Sequence, residues 1–170
     1  MPTEHKMRTT RDGPVVVSER TLRAMVAIRR DKLLAALYGE VVMSQSTHDA
    51  MRDEISGDTP RPWLRVEADR PEQTLPARVA GVGASDAAAL RLALGIGASR
   101  VLIEEPAKER AKLSFFKCEG TVSTLVHAHR MGHLSAVRPM VKALGKLGHG
   151  HVLPPPDQLD ALWKALDAMQ

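Results

Sequence analysis

A set of acidic residues, together with one serine, falls at the ends of apolar runs and at the starts of helical patterns in this chain. The set is Ser18, Asp49, Asp86, Glu104 and Glu105. Carboxylates that meet at one edge of a sheet bind hard cations such as Mg²⁺, and the cation lowers the pKa of a bound water for attack on phosphorus. These residue types therefore indicate metal-dependent hydrolysis of phosphodiesters, and Ser18 is the member that brings no charge.

Each of the acidic side chains also has a simpler structural explanation. Asp86 stands at the start of a helical pattern, where a carboxylate stabilises the positive end of the helix dipole. Asp49 can be an exposed residue within a helix, and Glu104-Glu105 can be solvated residues of a loop. From spacing alone, these structural roles are favoured over a metal site.

Apolar runs of strand length alternate along the chain with segments of helical periodicity. Strands are predicted at residues 15–17, 41–43, 64–66, 101–103 and near 115–118. Helices are predicted at residues 21–37, 44–55 with Ser44 or Ser46 as the cap, 83–94, from 106 onward, 121–131, 135–147 and 157–169. This order predicts an α/β sandwich around a mostly parallel central sheet.

Ligands of parallel sheets bind beyond the carboxyl ends of the strands. Ser18 and Glu104-Glu105 each directly follow a predicted strand, so they share that edge if the two strands are neighbours. Asp86 and Asp49 can reach the same place from helices. The sequence therefore predicts one site built from segments that are far apart in the chain.

Length and composition predict a single folded domain. The chain has 170 residues, of which 44% are hydrophobic, and this is enough to bury one sizeable core. No apolar run approaches the ~20 residues of a membrane-spanning helix, and residues 1–13 lack the apolar core of a secretory signal. A single cysteine, Cys118, excludes an internal disulfide and fits a reducing compartment, so we expect a cytoplasmic protein. Residues 1–13 are predicted to be a disordered extension, and 14–170 the domain.

Positive charge is concentrated towards the end of the chain. Residues 106–149 contain eight Lys or Arg and two acids, within a chain of net charge +4. Such a segment either holds a polyanion through phosphate contacts or is the solvated surface of a basic protein. Aromatic residues are only 3% of the chain, which argues against base stacking as a main source of binding energy.

Two other chemistries have weaker support in the sequence. His127 and His129 lie two apart on a predicted helix and so point in different directions, which favours surface histidines over a metal site. Cys118 has no evident base beside it and is predicted to be a buried cysteine of a strand.

Three ordered segments match the pattern of a known family. They are VVVSERTLRAMVAIRRDKLLAALYGEVVM, GASDAAALRLALGIGASRVLIEE and CEGTVSTLVHAHRMGHLSAVRPMVKAL, the last with Gly120, Thr121, Gly132 and Pro139 in register. Together they resemble the toxin-type branch of the PIN-domain nucleases over about Val15 to Leu166. The resemblance implies a PIN-like α/β/α sandwich around a mostly parallel sheet, with extra C-terminal helices, as a single PIN-like domain over residues 14–170.

The resemblance also implies an activity and its partners. In PIN nucleases three or four acids bind one or two divalent metals, which implies a Mg²⁺- or Mn²⁺-dependent endoribonuclease of a toxin–antitoxin system. Asp86, Glu104 and Glu105 would bind the metal, while Ser18 and either Asp49 or its neighbour Ala50 would complete the catalytic set. RNA, a small antitoxin protein and a second copy in a homodimer are the implied partners, and no membrane is involved.

This residue set departs from the family pattern. Ser18 stands where active relatives have Asp, Asp86 where Glu is usual, and Glu104 or Glu105 where the family prefers Asp. Mg²⁺ demands near-ideal octahedral geometry, so the lost charge and shifted carboxylates weaken metal binding. We therefore expect a PIN-like domain with an attenuated or inactive site, and the alternative is a catalytically inactive module that binds RNA or protein. If the remaining acids converge, Ser18→Asp is expected to raise nuclease activity with Mn²⁺.

Overall fold

A parallel sheet forms the centre of the molecule in the computed structural model, which describes residues 13–57, 59–112 and 117–169. The strands of this described part are β1 (Val15–Val17), β2 (Val41–Ser44), β3 (Leu64–Glu67), β4 (Arg100–Leu102) and β5 (Lys117–Glu119). They are ordered β3-β2-β1-β4-β5, and all four pairings are parallel. The predicted parallel sheet is confirmed.

Helices cover both faces of this sheet. They are α1 (Glu19–Ala27), α2 (Lys32–Tyr38), α3 (Gln45–Ala50), α4 (Arg52–Ile55), α5 (Ala84–Ile96), α6 (Ala107–Lys112), α7 (Thr121–Arg130), α8 (Arg138–Lys146) and α9 (Pro156–Asp167). Short 3₁₀ turns lie at Ala77–Val79 and Gly150–Val152. The predicted C-terminal helices are confirmed, with α7, α8 and α9 following β5.

Alternating strand residues divide the core into two layers, because successive side chains of a strand point to opposite faces. Val16 and Val101 pack against α5 and α6 on one face. Val17, Met43 and Leu102 face the larger cluster that α1, α2 and α7–α9 build on the other. The predicted α/β/α sandwich is therefore confirmed.

The helix predicted over residues 21–37 is wrong, because the chain forms two helices there. α1 closes with Arg29 in the left-handed region at φ 57° and with the Arg30 N–H donating to the carbonyl oxygen of Met25, at 3.0 Å. This is a Schellman ending, which usually carries glycine at its left-handed position. Since arginine occupies that position here, no glycine marks the break in the sequence.

The second predicted helix, residues 44–55, is also interrupted. Ser44 caps α3 as predicted, since its hydroxyl oxygen accepts a hydrogen bond from the Thr47 N–H at 3.1 Å. Met51 leaves helical geometry at φ −108° and ψ 14° and separates α3 from α4. The Met51 side chain is completely buried, so the apolar spacing of a helix continues across the break and the sequence does not reveal it.

The sheet order brings the acidic segments to one edge. β1 and β4 are neighbours, with Val17 opposite Leu102, so the residues that follow these strands emerge side by side. The condition that the sequence left open for Ser18 and Glu104 is therefore met. None of the described helices is long and apolar enough to cross a membrane. The predicted disordered extension, residues 1–13, lies outside the described residues except for Gly13.

Candidate functional site

Ser18 and Glu104 lie close together beyond the carboxyl ends of β1 and β4. Ser18 is completely buried, and its N–H donates to the carbonyl oxygen of Leu102 at 2.8 Å. Its hydroxyl donates to the hydroxyl oxygen of Thr21 at 3.2 Å, and the Thr21 hydroxyl donates to Oε2 of Glu104 at 2.5 Å. Ser18 is therefore joined to Glu104 by two hydrogen bonds through the Thr21 hydroxyl.

Three donors from two threonines bind one oxygen of the Glu104 carboxylate, Oε2. Besides Thr21, the N–H and the hydroxyl of Thr121 donate to Oε2 at 2.8 and 2.9 Å. Thr121 is the first residue of α7, so Glu104 also satisfies one of the unpaired N–H groups at that helix start. Gly120 makes this approach feasible, because a Cβ there would lie 2.9 Å from Oε1 of Glu104.

Burial raises the pKa of the Glu104 carboxyl, because only 3% of the residue is exposed and the charged form loses its hydration. Hydrogen bonds from Thr21 and Thr121 and the charge of Lys108 act in the opposite direction but are smaller effects. Oε2 of Glu104 already accepts three hydrogen bonds, which a cation at that oxygen would have to displace.

Asp86 is neutralised by a guanidinium. It lies in the first turn of α5 with 5% of its surface exposed, and Arg20 donates to its Oδ2 at 2.7 Å. Arg20 also donates to the carbonyl oxygens of Glu105, at 2.9 Å, and of Glu104, at 3.5 Å. Oδ1 of Asp86 accepts no hydrogen bond from the described residues. Arg20 therefore joins α5 to the loop that follows β4.

Asp49 and Glu105 do not join this cluster through their side chains. Asp49 is exposed on α3, where Gln45 and Arg52 donate to Oδ1 at 2.9 and 3.1 Å, and these partners lower the pKa of its carboxyl, with Gln45 the largest cause. Glu105 turns towards α6, where Oε2 accepts a hydrogen bond from the Glu109 N–H at 3.1 Å. The structure therefore brings together Ser18, Asp86 and Glu104, and leaves the other two acids with local partners.

The donor set does not fit the divalent metal that the resemblance implied. The parts of the chain that the structure describes contain no group of three or more His, Cys, Asp or Glu residues arranged to hold a metal ion. Ser18 brings no charge, one oxygen of Glu104 is surrounded by donors, and Asp86 is paired with Arg20. Mg²⁺ requires octahedral oxygen ligands, usually from carboxylates and waters, and these three residues do not offer them.

Sequence reasoning missed Arg20, Thr21 and Thr121 as members of the site. One signal was available for Arg20: it stands in the first turn of α1, where the helix dipole disfavours a positive side chain. A cation at that position indicates a nearby acid that compensates the cost. The two threonines carry no comparable signal, because hydroxyl groups at helix starts are common.

A groove of about 910 Å³ opens beside this cluster, between the carboxyl edge of the sheet and α9. Its basic lining residues are Arg100, Lys108, His127, Arg130 and His151. Apolar residues of α7, of the segment 152–155 and of α9 line another part of it. Glu104, Glu105, Glu109 and Glu119 also line the groove, which therefore carries charges of both signs. Through Glu104 the groove is continuous with the carboxyl edge of β1 and β4 that holds Ser18, Asp86 and Glu104, called the acidic edge below.

Glu119 organises one wall of this groove. Its Oε2 accepts a hydrogen bond from the Tyr38 hydroxyl at 2.6 Å and lies 3.1 Å from Nη1 of Arg100. The Nδ1 of His127 lies 3.6 Å from the same oxygen. Burial and Glu119 together raise the pKa of the Tyr38 hydroxyl, which therefore stays protonated as a donor. Arg100 is thus held in place by an acid, whereas Arg130 makes no ion pair with the described residues.

The remaining candidates do not form a second site. Burial raises the pKa of the Cys118 thiol to about 11, so the thiolate is scarce at neutral pH and the residue is a poor nucleophile. His127 faces Glu119, whereas Nδ1 of His129 lies 2.9 Å from the carbonyl oxygen of Leu134. The two histidines point to different partners, as their spacing predicted.

Comparison with known proteins identifies one family. A family model described as DUF3368, PIN domain, matches residues 15–151. The match runs from β1 to the 3₁₀ turn before α9, and so contains the whole sheet, the acidic cluster and most of the groove. No curated protein and no solved structure matches the chain.

Proposed function

This chain belongs to the PIN-domain family, which has a nuclease-like fold, and we propose that it binds RNA without cleaving it. The observation that carries this proposal is the occupation of the acidic edge by protein donors. Arg20 binds Asp86, and Thr21 and Thr121 bind Glu104, so the two buried carboxylates are compensated within the fold. Hydrolysis by a metal-activated water requires open ligand positions instead.

The groove supplies the argument for RNA. Arg130 is exposed at its rim and makes no ion pair with the described residues. Arg100 and Lys108 also line the groove but are paired with Glu119 and Glu105, so Arg130 is the groove cation best placed to bind a phosphate. Outside the groove lining, Lys142 and Lys146 are exposed one turn apart on α8 and offer further phosphate contacts on that helix. Such contacts bind any RNA through its backbone, and the small number of aromatic residues fits a binding mode that does not depend on stacking.

A weak, toxin-type, metal-dependent ribonuclease is the second candidate. The observation that favours it is Oδ1 of Asp86, which accepts no hydrogen bond from the described residues and remains available to a cation that displaces Arg20. In that case a small antitoxin would be the expected protein partner. The antitoxin and the homodimer stay predictions from the resemblance.

Binding can be measured by the fluorescence anisotropy of a labelled single-stranded RNA titrated with the full chain. We expect Arg130→Ala to weaken binding and to reduce the slope of log K against log salt by ~0.7, the effect of one lost phosphate contact on a single strand. Arg30→Ala is the matched control, because Arg30 is equally exposed but does not line the groove. Binding that is absent, or that does not depend on salt, would contradict the proposal.

Cleavage is tested with the same RNA in Mg²⁺, Mn²⁺ or EDTA. We expect intact RNA in all three conditions. Cleavage that requires Mn²⁺ and is lost in Asp86→Asn would establish the second candidate, because a contaminating nuclease would not respond to that substitution. Binding and cleavage are read separately, so either part of the proposal can fail alone.

A further inference from the structure

The guanidinium of Arg20 contacts three oxygens that belong to two distant segments. It binds Oδ2 of Asp86 and the carbonyl oxygens of Glu104 and Glu105. A planar guanidinium offers five N–H donors in a fixed fork, so one side chain can bind all three oxygens. One carboxylate with main-chain carbonyl groups is also the kind of oxygen cluster that attracts a hard cation.

Charge and burial favour a cation beside Asp86. The Asp86 side chain is only 7% exposed, and a buried carboxylate is costly unless an opposite charge compensates it. Arg20 is 27% exposed, so its stem reaches inward from the surface of α1. On the same helix, Arg23 is bound to surface partners, Glu19 and Glu54, and plays no part in the acidic edge.

We propose that Arg20 is a resident cation that takes the place of a divalent metal at the acidic edge. The stability of the natural chain is then independent of divalent ions, and removal of Arg20 turns the oxygens of Asp86, Glu104 and Glu105 into a site that needs one. This inference rests on the geometry around Arg20 and holds whether or not RNA binds in the groove.

The test is the thermal unfolding midpoint of the full chain, recorded by circular dichroism in EDTA, in Mn²⁺ and in Ca²⁺. The natural chain should melt at the same temperature in all three. Arg20→Met keeps an apolar stem but loses the charge, so in EDTA it should melt at a lower temperature than the natural chain. Mn²⁺ or Ca²⁺ should raise the midpoint of this variant by on the order of several °C. If this variant is unfolded in EDTA, the ions should restore its helical signal.

Two further variants locate the effect. Arg23→Met removes a guanidinium from the surface of α1 and should show no response to the ions. Arg20→Met combined with Asp86→Asn removes both charges, so it should recover part of the midpoint in EDTA and lose the ion response. Three results would overturn the proposal. One is a rise of the thermal midpoint with Mn²⁺ that is as large in the natural chain as in Arg20→Met. The others are an Arg20→Met variant, folded or unfolded, whose signal no ion changes, and a double variant whose midpoint still rises with the ions.

Discussion

A carboxylate at position 18 is the substitution that would recreate the acid of active PIN nucleases, and the structure predicts its effect. Ser18 is completely buried, and its hydroxyl is joined to Glu104 through Thr21 by hydrogen bonds of 3.2 and 2.5 Å. Ser18→Asp therefore places a second negative charge beside a carboxylate that is already buried. We expect a less stable protein without new metal-dependent cleavage.

The size of the destabilisation follows from the distance between position 18 and the Glu104 carboxylate. Two carboxylates linked through one hydroxyl lie within about 6 Å, where two unit charges repel by about 3 kcal/mol at an effective dielectric constant of ~20. For a chain of this length, that loss lowers the thermal midpoint by about 6–12 °C. Ser18→Asn is the matched control, because it adds nearly the same volume without the charge.

Urea unfolding at neutral and at acidic pH measures the effect. At acidic pH the new carboxyl group is protonated, so the difference between Ser18→Asp and Ser18→Asn should shrink. The double variant Ser18→Asp, Glu104→Gln should recover most of the loss, which gives a coupling free energy of about 3 kcal/mol in a double-mutant cycle.

Two results would refute this reasoning. One is equal stability of Ser18→Asp and Ser18→Asn at neutral pH, which would mean that Glu104 and position 18 do not interact electrostatically. The other is Mn²⁺-dependent RNA cleavage by Ser18→Asp, because cleavage requires that the acids converge on a metal despite Arg20. Calorimetric titration with Mn²⁺ distinguishes a metal site that binds without cleaving.

Two further predictions concern Glu104 and its surroundings. Burial raises the pKa of Glu104 in the folded chain, so its contribution to stability is complete below the pKa of the unfolded chain and is lost as pH rises through the folded pKa. Glu104→Gln should remove this decline in the free energy of unfolding, measured by urea titration across that pH range. An unchanged decline in the variant would contradict the prediction. Gly120→Ala should lower the free energy of unfolding by about 1–3 kcal/mol, because the new Cβ would lie 2.9 Å from Oε1 of Glu104. Gly83→Ala is the control: no atom lies within 4 Å of its Cβ, so the free energy of unfolding should change by less than ~0.5 kcal/mol. Similar effects of the two substitutions would count against crowding at Glu104.

Hydrophobic periodicity predicted most helices and strands correctly, because an apolar core lies on each face of the sheet. Val16 and Val17 face opposite layers and both are buried, so β1 is a continuous apolar run. The breaks inside predicted helices were missed for a different reason. At Arg29 a residue that disfavours the left-handed region adopts it, because the following N–H closes the helix end.

Residue types and their spacing were enough to predict the parallel α/β architecture, the carboxyl-edge positions of Ser18 and Glu104, and the missing charge at position 18. These depend on periodicity and on residue type, which are local properties. The partners of the acids became visible in the folded chain: Arg20 binds Asp86, and Thr21 and Thr121 bind Glu104. The physical reason is that a buried carboxylate must be compensated by whichever donors the fold brings to it, and those donors come from helices that are distant in the chain.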